Sequence, residues 1–215
     1  SYWIEPPESR TFRTEAPAHP LLMFGLRTAE TSWQSRLDTK LLPYLKDHMV
    51  QGQTVFPAAG YIEMALGAGE AIFGHFPVVV EELDMAKALV LPQRGEAALA
   101  QFRYAPDTAR FAITSRASES SEGWDHNAAG YLRGPDYAIE LPRLNLARVR
   151  ARLTEQSEKM DLYARFAAAG LEFGEAFRTI RALWRGNREA LGRVILPEDV
   201  RNSPTGYLAH PVVLD

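Results

Sequence analysis

Residues 58–73 read AAGYIEMALGAGEAIF, and this stretch decides the fold. Small or apolar residues fill almost every position, and Glu63 and Glu70 carry its only charges. A helix that is apolar on nearly every face is a buried helix. Pro57 stands directly before the stretch, and proline suits a helix start because the first N–H groups need no partner inside the helix. The sequence therefore predicts a buried helix over 58–73, with Glu63 and Glu70 at its edges facing solvent.

Strand patterns surround this helix on both sides. Two short candidates precede it, and four follow it with turn-rich pieces between them. The predicted strands are Leu21–Thr28, Thr31–Leu37, Val78–Leu91, Ala97–Tyr104, Arg110–Ala117 and Gly123–Leu132. One buried helix followed by an antiparallel meander indicates a sheet wrapped round that helix, which is the hotdog arrangement.

The remainder of the chain has weaker patterns. Residues 135–157 contain two prolines and few periodic signals, so we interpret them as a linker. A helix is predicted over 158–169, and strands over 176–185 and 189–196. This second region has no long apolar helix to serve as its own core. We therefore expect it to be incomplete.

Composition excludes several classes of function. The chain has no Cys, which rules out disulfides, thiolate metal sites and Cys nucleophiles. Its formal net charge is −3 and no basic run is present, so we expect no nucleic-acid partner. No apolar stretch approaches the roughly 20 residues of a membrane span, and the first residues lack signal-peptide features. We expect a cytoplasmic protein that does not associate with membranes.

Residues 48–57, HMVQGQTVFP, contain the densest chemical pattern, HxxxGxxxxP. His48 can act as a general base, because the pKa of histidine, about 6.5, lies near neutrality. Gly52 allows a tight bend and close approach of a ligand to the backbone. The helix after Pro57 offers free N–H groups near Ala58, which can hold a carbonyl oxygen that gains negative charge. The pattern indicates a proton-abstraction site, although its spacing alone fits a surface histidine before a glycine turn equally well.

Several segments, in order, give the chain a resemblance to the dehydratase domains of modular type I polyketide synthases. Residues 48–66 carry the first motif, and His210–Asp215, HPVVLD, looks like the HPxxLD that leads into the DxxxQ motif of the family. Residues 170–177, GLEFGEAF, resemble the GYGPxF segment. The remaining segments are YWIEP at 2–6, which looks like the linker after an acyltransferase, HPLL at 19–22, and Trp124 with Gly130.

The resemblance implies an α+β double hotdog and a specific reaction. A (3R)-3-hydroxyacyl group, carried as a thioester on the phosphopantetheine arm of an acyl carrier protein, would lose water. His48 would take the proton next to the thioester carbonyl, and Asp215 would protonate the departing hydroxyl. Such an acid must keep its proton at a pH well above the usual aspartate pKa of about 3.9. Burial beside an apolar tunnel can raise the pKa of a carboxyl group in this way. No metal or organic cofactor is implied.

The resemblance also implies how the chain is organised and what it contacts. Residues 1–18 would be a remnant of the post-acyltransferase linker, and 19–134 the N-terminal hotdog with the catalytic histidine. Residues 135–157 would join it to 158–215, the start of a C-terminal hotdog that ends at Asp215 and is incomplete in this chain. The expected partners are an acyl carrier protein, neighbouring polyketide synthase domains and a second copy in a homodimer.

Some positions depart from the family pattern, and alternatives remain open. Phe173, Gly174 and Phe177 would contact substrate, but Phe173 replaces the usual tyrosine and Glu175 replaces the proline of GPxF. Asn127 stands where the family has histidine. The same base and acid would also serve an isomerase, a pyran-forming cyclase or a product-template domain. A non-catalytic scaffold fragment is the alternative outside the enzymes.

Overall fold

The computed structural model describes residues 19–27, 30–74, 77–92, 96–118, 123–137, 143–153, 155–157, 159–201 and 206–215. The segment predicted as a linker over 1–18 lies outside the described residues. The strands are β1 Phe24–Arg27, β2 Thr31–Leu37, β3 His48–Val50, β4 Gln53–Thr54, β5 Val79–Met85, β6 Ala98–Ala105, β7 Arg110–Arg116, β8 Asp125–Arg133, β9 Glu155–Ser157, β10 Leu171–Phe173, β11 Ile180–Gly186 and β12 Glu189–Val194. The α-helices are α1 Ala58–Phe73, α2 Leu146–Ala151, α3 Lys159–Ala168, α4 Glu198–Arg201 and α5 Pro211–Leu214, and 3-10 turns cover Pro43–Asp47 and Glu175–Phe177.

Helix α1 forms over the predicted residues 58–73 and packs against a six-stranded antiparallel sheet. The strand order is β1-β2-β6-β7-β8-β5, and every neighbouring pair is antiparallel. Strand β2 spans the predicted 31–37 because alternate residues, including Trp33 and Leu37, are buried. This sheet and its buried helix confirm the α+β class and the hotdog arrangement.

The core between α1 and the sheet consists of large side chains that meet small ones. Phe102 and Phe111 stack with ring centroids 5.2 Å apart, and Trp33 packs edge-on against Phe102 at 6.0 Å. From the helix, Met64 and Ala65 reach the same cluster and are almost fully buried. The small residues of α1 let the helix approach the sheet closely, and the aromatic rings fill the space that they leave.

The predicted strand over 78–91 was too long. Strand β5 ends at Met85, because the backbone N–H groups of Ala86 and Lys87 both bond to the carbonyl of Asn127 and turn the chain away from the ladder. Further on, Val90 forms only an isolated bridge with Val55.

Two predictions for the second half were wrong in part. The linker predicted over 135–157 contains helix α2, which begins where the Asn145 side chain accepts the N–H of Arg148 at 3.0 Å. It also contains β9, which pairs with β11 in the sheet β12-β11-β9. The strand predicted over 176–185 starts only at Ile180, after a 3-10 turn. Within the described part of this half, the longest helix is α3, with 10 residues.

A small third sheet joins the two halves. Strand β10 pairs antiparallel with β3, and β3 pairs with β4, in the order β10-β3-β4. In this register Phe173 lies opposite His48. The N–H of Gln51 also bonds to the carbonyl of Gly170 at 2.8 Å. The segment that carries His48 in the first half therefore lies in the same sheet as β10 of the second half.

Within the described residues, no helix is long and apolar enough to cross a membrane.

The packing of α1 predicts a large cost for truncating its core face. Met64→Ala should lower the free energy of unfolding by about 2–5 kcal/mol, because it leaves a cavity at a side chain that is 1% exposed. Urea denaturation followed by circular dichroism measures this. As the matched control, Glu70→Ala on the exposed face of the same helix should change stability by less than about 0.5 kcal/mol. Equal effects of the two variants would contradict a buried core face.

Candidate active site

His48 is presented by a tight hairpin between β3 and β4. Val50 pairs with Gln53, which leaves a two-residue loop of Gln51 and Gly52 with φ of 50° and 74°. Two successive positive φ values are typical of the type I′ turn, which suits antiparallel strands. Gly52 is exposed and has nothing near its Cβ position. Gly52 supplies one of the positive φ values of the turn, and the close approach of a ligand predicted at this residue stays a prediction.

The imidazole of His48 is oriented by the far end of the same hairpin. Its Nδ1 lies 2.8 Å from the carbonyl oxygen of Val55, whose own N–H bonds back to the His48 carbonyl at 3.1 Å. A carbonyl oxygen can only accept, so Nδ1 carries a proton and donates it. Nε2 is therefore the nitrogen that faces the interior, and its lone pair is available when the ring is neutral. The residue is 7% exposed.

Asp215 meets His48 from the other end of the chain. Its Oδ2 lies 3.1 Å from His48 Nε2, and the Asp215 side chain is 11% exposed. Its Oδ1 accepts the N–H of Ala59 at 3.2 Å. Pro57 occupies the N-cap position of α1 and provides no side-chain cap, so Asp215 supplies a partner that the first turn lacks. The Ala59 N–H at this helix start binds the carboxylate of Asp215, and the contact predicted between the helix start and a substrate carbonyl stays a prediction.

A cavity of about 580 Å³ opens beside the His48–Asp215 pair. Most side chains around it are apolar, and both halves of the chain contribute them. The first half supplies Val55, Phe56, Ala58, Tyr61, Met85 and Ala88; the second supplies Tyr163, Phe166, Leu171, Phe173, Phe177, Ile180, Val194 and Val213. A mostly apolar cavity with a few polar groups suits a small molecule or acyl chain that must be oriented.

The two tyrosines at this cavity are poor proton donors. Burial raises the pKa of Tyr61 to about 12, so its hydroxyl stays protonated near neutral pH. Burial also raises the pKa of Tyr163, whose hydroxyl donates to the carbonyl of Phe177 and accepts the N–H of Ile180. His48 and Asp215 are consequently the better candidates for proton transfer in this cavity.

Phe173 and Phe177 form the cavity wall next to His48, and the substrate contacts predicted for them stay a prediction. Their ring centroids lie 5.5 and 5.1 Å from the His48 ring, and the two phenyl rings stack on each other at 6.1 Å. Gly174 lies between them but does not line the cavity. A Cβ at Gly174 would lie 2.5 Å from the Asp47 carboxylate. The structure thus gives Gly174 a packing role.

Sequence reasoning missed the position of Glu63, which was expected to face solvent. Glu63 is fully buried and accepts three hydrogen bonds, from the ring of His19 and from the backbone N–H groups of Leu208 and Ala209. The available signal was the helix itself, because a charge on a helix buried all round must find partners. Glu70, by contrast, is exposed as predicted.

Comparisons with known proteins identify the family of this chain. The family profile described as "Polyketide synthase dehydratase domain" matches residues 19–116, and a second, "Polyketide synthase dehydratase N-terminal domain", matches residues 142–215. The chain belongs to the polyketide synthase dehydratase family. Mycoketide-CoA synthase of Mycobacterium tuberculosis is 36% identical over 183 residues, which is 84% of this chain and 4% of that protein.

Solved structures of polyketide synthase dehydratases match this family member closely. The dehydratase domain from the CurF module of curacin polyketide synthase superimposes with a TM-score of 0.82 at 28% identity, covering 92% of this chain and 73% of that one. Two structures of the CurK dehydratase, each 26% identical and covering 91% of this chain and 70% of theirs, have TM-scores of 0.81 and 0.80. One carries a His-to-Phe and the other an Asp-to-Asn replacement, and both are described as inactive mutants.

Among the described residues of this dehydratase-family chain, no three His, Asp or Glu side chains converge as a metal site would require. The prediction that the chemistry needs no metal or organic cofactor stays a prediction.

The close packing of Gly174 against Asp47 predicts that alanine substitutions at two glycines differ in their effect on stability. Gly174→Ala should destabilise the protein by about 1–3 kcal/mol, because the new methyl group displaces the Asp47 carboxylate from the N–H of Ala176, which it binds at 2.9 Å. Thermal unfolding measures the loss. Gly192→Ala is the matched control, since nothing lies within 4 Å of that Cβ position. An unchanged melting temperature for Gly174→Ala would contradict the packing role.

Proposed function

We propose that the chain removes water from a (3R)-3-hydroxyacyl thioester on an acyl carrier protein and forms the 2-enoyl thioester during polyketide biosynthesis. The observation that carries the proposal is the contact of 3.1 Å between His48 Nε2 and Asp215 Oδ2 in the lining of a mostly apolar cavity. Membership of the dehydratase family supports the same reaction class.

In this proposal His48 is the base. Its Nδ1–H is held by the Val55 carbonyl, so the lone pair of the neutral ring is on Nε2. Nε2 takes the proton from the carbon next to the thioester carbonyl, and that C–H electron pair becomes the new carbon–carbon π bond. The stacked rings of Phe173 and Phe177 fix the imidazole plane from the side. The inactive His-to-Phe mutant of the CurK dehydratase supports a histidine in this chemistry.

Asp215 is the acid in the same step. It enters protonated and gives its proton to the hydroxyl, which leaves as water when the carbon–oxygen bond breaks. His48 is then an imidazolium and Asp215 a carboxylate. Because their atoms lie 3.1 Å apart, one proton transfer from Nε2 to Oδ2 restores both groups for the next turnover. The inactive Asp-to-Asn mutant of the CurK dehydratase supports an aspartate in this role.

The start of α1 is the place we assign to the thioester carbonyl. Ala58 lines the cavity at the first position of a 16-residue helix. The positive end of the helix dipole favours an oxygen that gains negative charge during proton abstraction. Asp215 uses the Ala59 N–H, so the carbonyl must take its stabilisation from the rest of this helix end.

The partners of the reaction are part of the proposal. The chain spans 4% of mycoketide-CoA synthase and 6% of the polyketide synthase GfsE of Streptomyces halstedii. Relatives of this length support neighbouring polyketide synthase domains as partners. An acyl carrier protein that delivers the substrate on its phosphopantetheine arm, a homodimeric state and a cytoplasmic location remain predictions.

Replacing the base tests its role. The longest polypeptide that contains this sequence is incubated with a 3-hydroxyacyl thioester on an acyl carrier protein. The loss of one water molecule is followed by mass spectrometry. His48→Ala should reduce the rate by about 10²–10⁴-fold, because general base catalysis is lost. His126→Ala, on an exposed position of β8, is the control and should keep the rate. Turnover that survives His48→Ala would reject this base.

Replacing the acid gives a separate test. Asp215→Asn keeps the size of the side chain but cannot protonate the hydroxyl, so water loss should fall by about 10²–10⁴-fold. Asp107→Asn, in an exposed turn, should leave the rate unchanged. The product is analysed by nuclear magnetic resonance, which separates a 2-enoyl thioester from a shifted double bond or a pyran ring. A wild-type protein that loses no water from substrates of any chain length would reject the dehydratase function.

A further inference from the structure

A buried carboxylate lies on α1 outside the cavity and outside the proposed chemistry. Glu63 has no solvent exposure. Its Oε1 accepts the N–H of Leu208 at 2.6 Å and lies 2.9 Å from His19 Nε2, and its Oε2 accepts the N–H of Ala209 at 2.7 Å. His19 Nδ1 accepts the N–H of Leu21, so its proton is on Nε2, which donates to Glu63.

These bonds keep Glu63 in the charged form. Burial alone would raise the pKa of Glu63, but the donors from His19, Leu208 and Ala209 together outweigh burial and hold that pKa below its usual value. An ionised carboxylate forms stronger hydrogen bonds than a neutral group does. The backbone at 208–209 is therefore fixed to α1 by a charged acceptor inside the protein.

The same face of α1 holds the other end of this segment. Ala59 precedes Glu63 by one helical turn, and its N–H binds Asp215. The chain from 208 to 215 is thus attached to one helix at two points, through Glu63 at its start and through Ala59 at its end. Between them lies α5, a four-residue helix that is too short to hold its shape alone.

Space for this arrangement is made one turn further along the helix. At Gly67 a Cβ would lie 2.8 Å from the His19 ring. The absence of a side chain there lets His19 reach Glu63. Three consecutive turns of α1 therefore act together on the segment 208–215, because Gly67 admits His19, Glu63 binds the backbone at 208–209, and Ala59 binds the carboxylate of Asp215.

We propose that Glu63 is a positioning residue, which places Asp215 within reach of His48 and of the departing hydroxyl by fixing the backbone of Leu208 and Ala209. The proposal rests on the function proposed above, because it assigns Asp215 the role of acid. Glu63 touches no substrate and transfers no proton. Its effect is on geometry, and displacing a reacting group by about 1 Å can cost about 10²-fold in rate.

A substrate with a different leaving group can show whether Glu63 positions the acid or only stabilises the fold. A 3-hydroxyacyl thioester needs a proton on its leaving oxygen, whereas a 3-acetoxyacyl thioester expels acetate without one and needs only the base His48. Glu63→Gln keeps the size of the side chain but replaces one accepting oxygen with an NH₂ group that cannot accept. We expect kcat for water loss to fall about 10- to 100-fold with KM within about twofold, and acetate loss to change less than about threefold.

The same helix provides a control variant. Glu70→Gln, on the exposed face of α1, should leave both rates unchanged. If Glu63→Gln slows both substrates equally, Glu63 supports the fold in general and the positioning role is overturned. An unchanged rate of water loss in Glu63→Gln overturns it as well. A wild-type protein that eliminates acetate but not water would reject Asp215 as the acid, and with it this proposal.

Amide hydrogen exchange provides a readout that needs no turnover. In the wild-type protein the N–H groups of Leu208 and Ala209 are bound by Glu63 and should exchange slowly. Glu63→Gln, or Glu63→Asp if the first variant does not fold, should accelerate exchange in the peptide 206–215 by at least about tenfold, while peptides from β6 and β7 stay unchanged. Unaltered exchange at 206–215 would show that Glu63 does not hold this segment. The result of this exchange measurement does not depend on whether the protein removes water from a thioester.

Discussion

Polar groups on the buried faces of α1 lose their contact with water, so partners inside the protein stabilise them. Two such groups lie near its start, the N–H of Ala59 and the carboxylate of Glu63. Both are satisfied by the same piece of chain, at Asp215 and at the backbone of Leu208 and Ala209. Pairing these two buried groups thus also holds the proposed acid close to the proposed base. Stability of the core and geometry of the site have one physical origin here.

The parts of the fold that depend on local pattern could be predicted from the sequence. Helix α1 follows from a run of small and apolar residues, and β2 follows from a fair alternation with a period of two. The hairpin at Gln51 and Gly52 was harder, because glutamine gives little indication of the positive φ that it adopts. The 3-10 turn before Ile180 depends on bonds to the side chain and backbone carbonyl of Asp47, and the early end of β5 at Met85 depends on bonds to the carbonyl of Asn127. No local pattern encodes these distant partners.

The site divides in the same way. His48 could be predicted because a base, a bend and a helix start lie within one short motif, and the position of its imidazole is fixed by Val55 of the same hairpin. Asp215 was predicted from family resemblance, since nothing local to it indicates a role. The bond of Ala59 to Asp215 and the buried state of Glu63 depend on contacts between α1 and the segment 208–215, which lie far apart in the sequence. Only the folded structure brings those groups together.

Strand β10 lies directly against β3, with Phe173 opposite His48. The proposed base in one half therefore lies on a strand that pairs with the wall of the other, and this pairing couples the two halves. A recombination event that joined the first half of one dehydratase to the second half of another would have to keep this strand register, and would also have to match the ring that meets the imidazole. The boundary between the halves, attractive to an engineer because it looks like a linker in the sequence, is a poor crossover point. Grafting is better done outside the pair, with both halves inherited from a single parent.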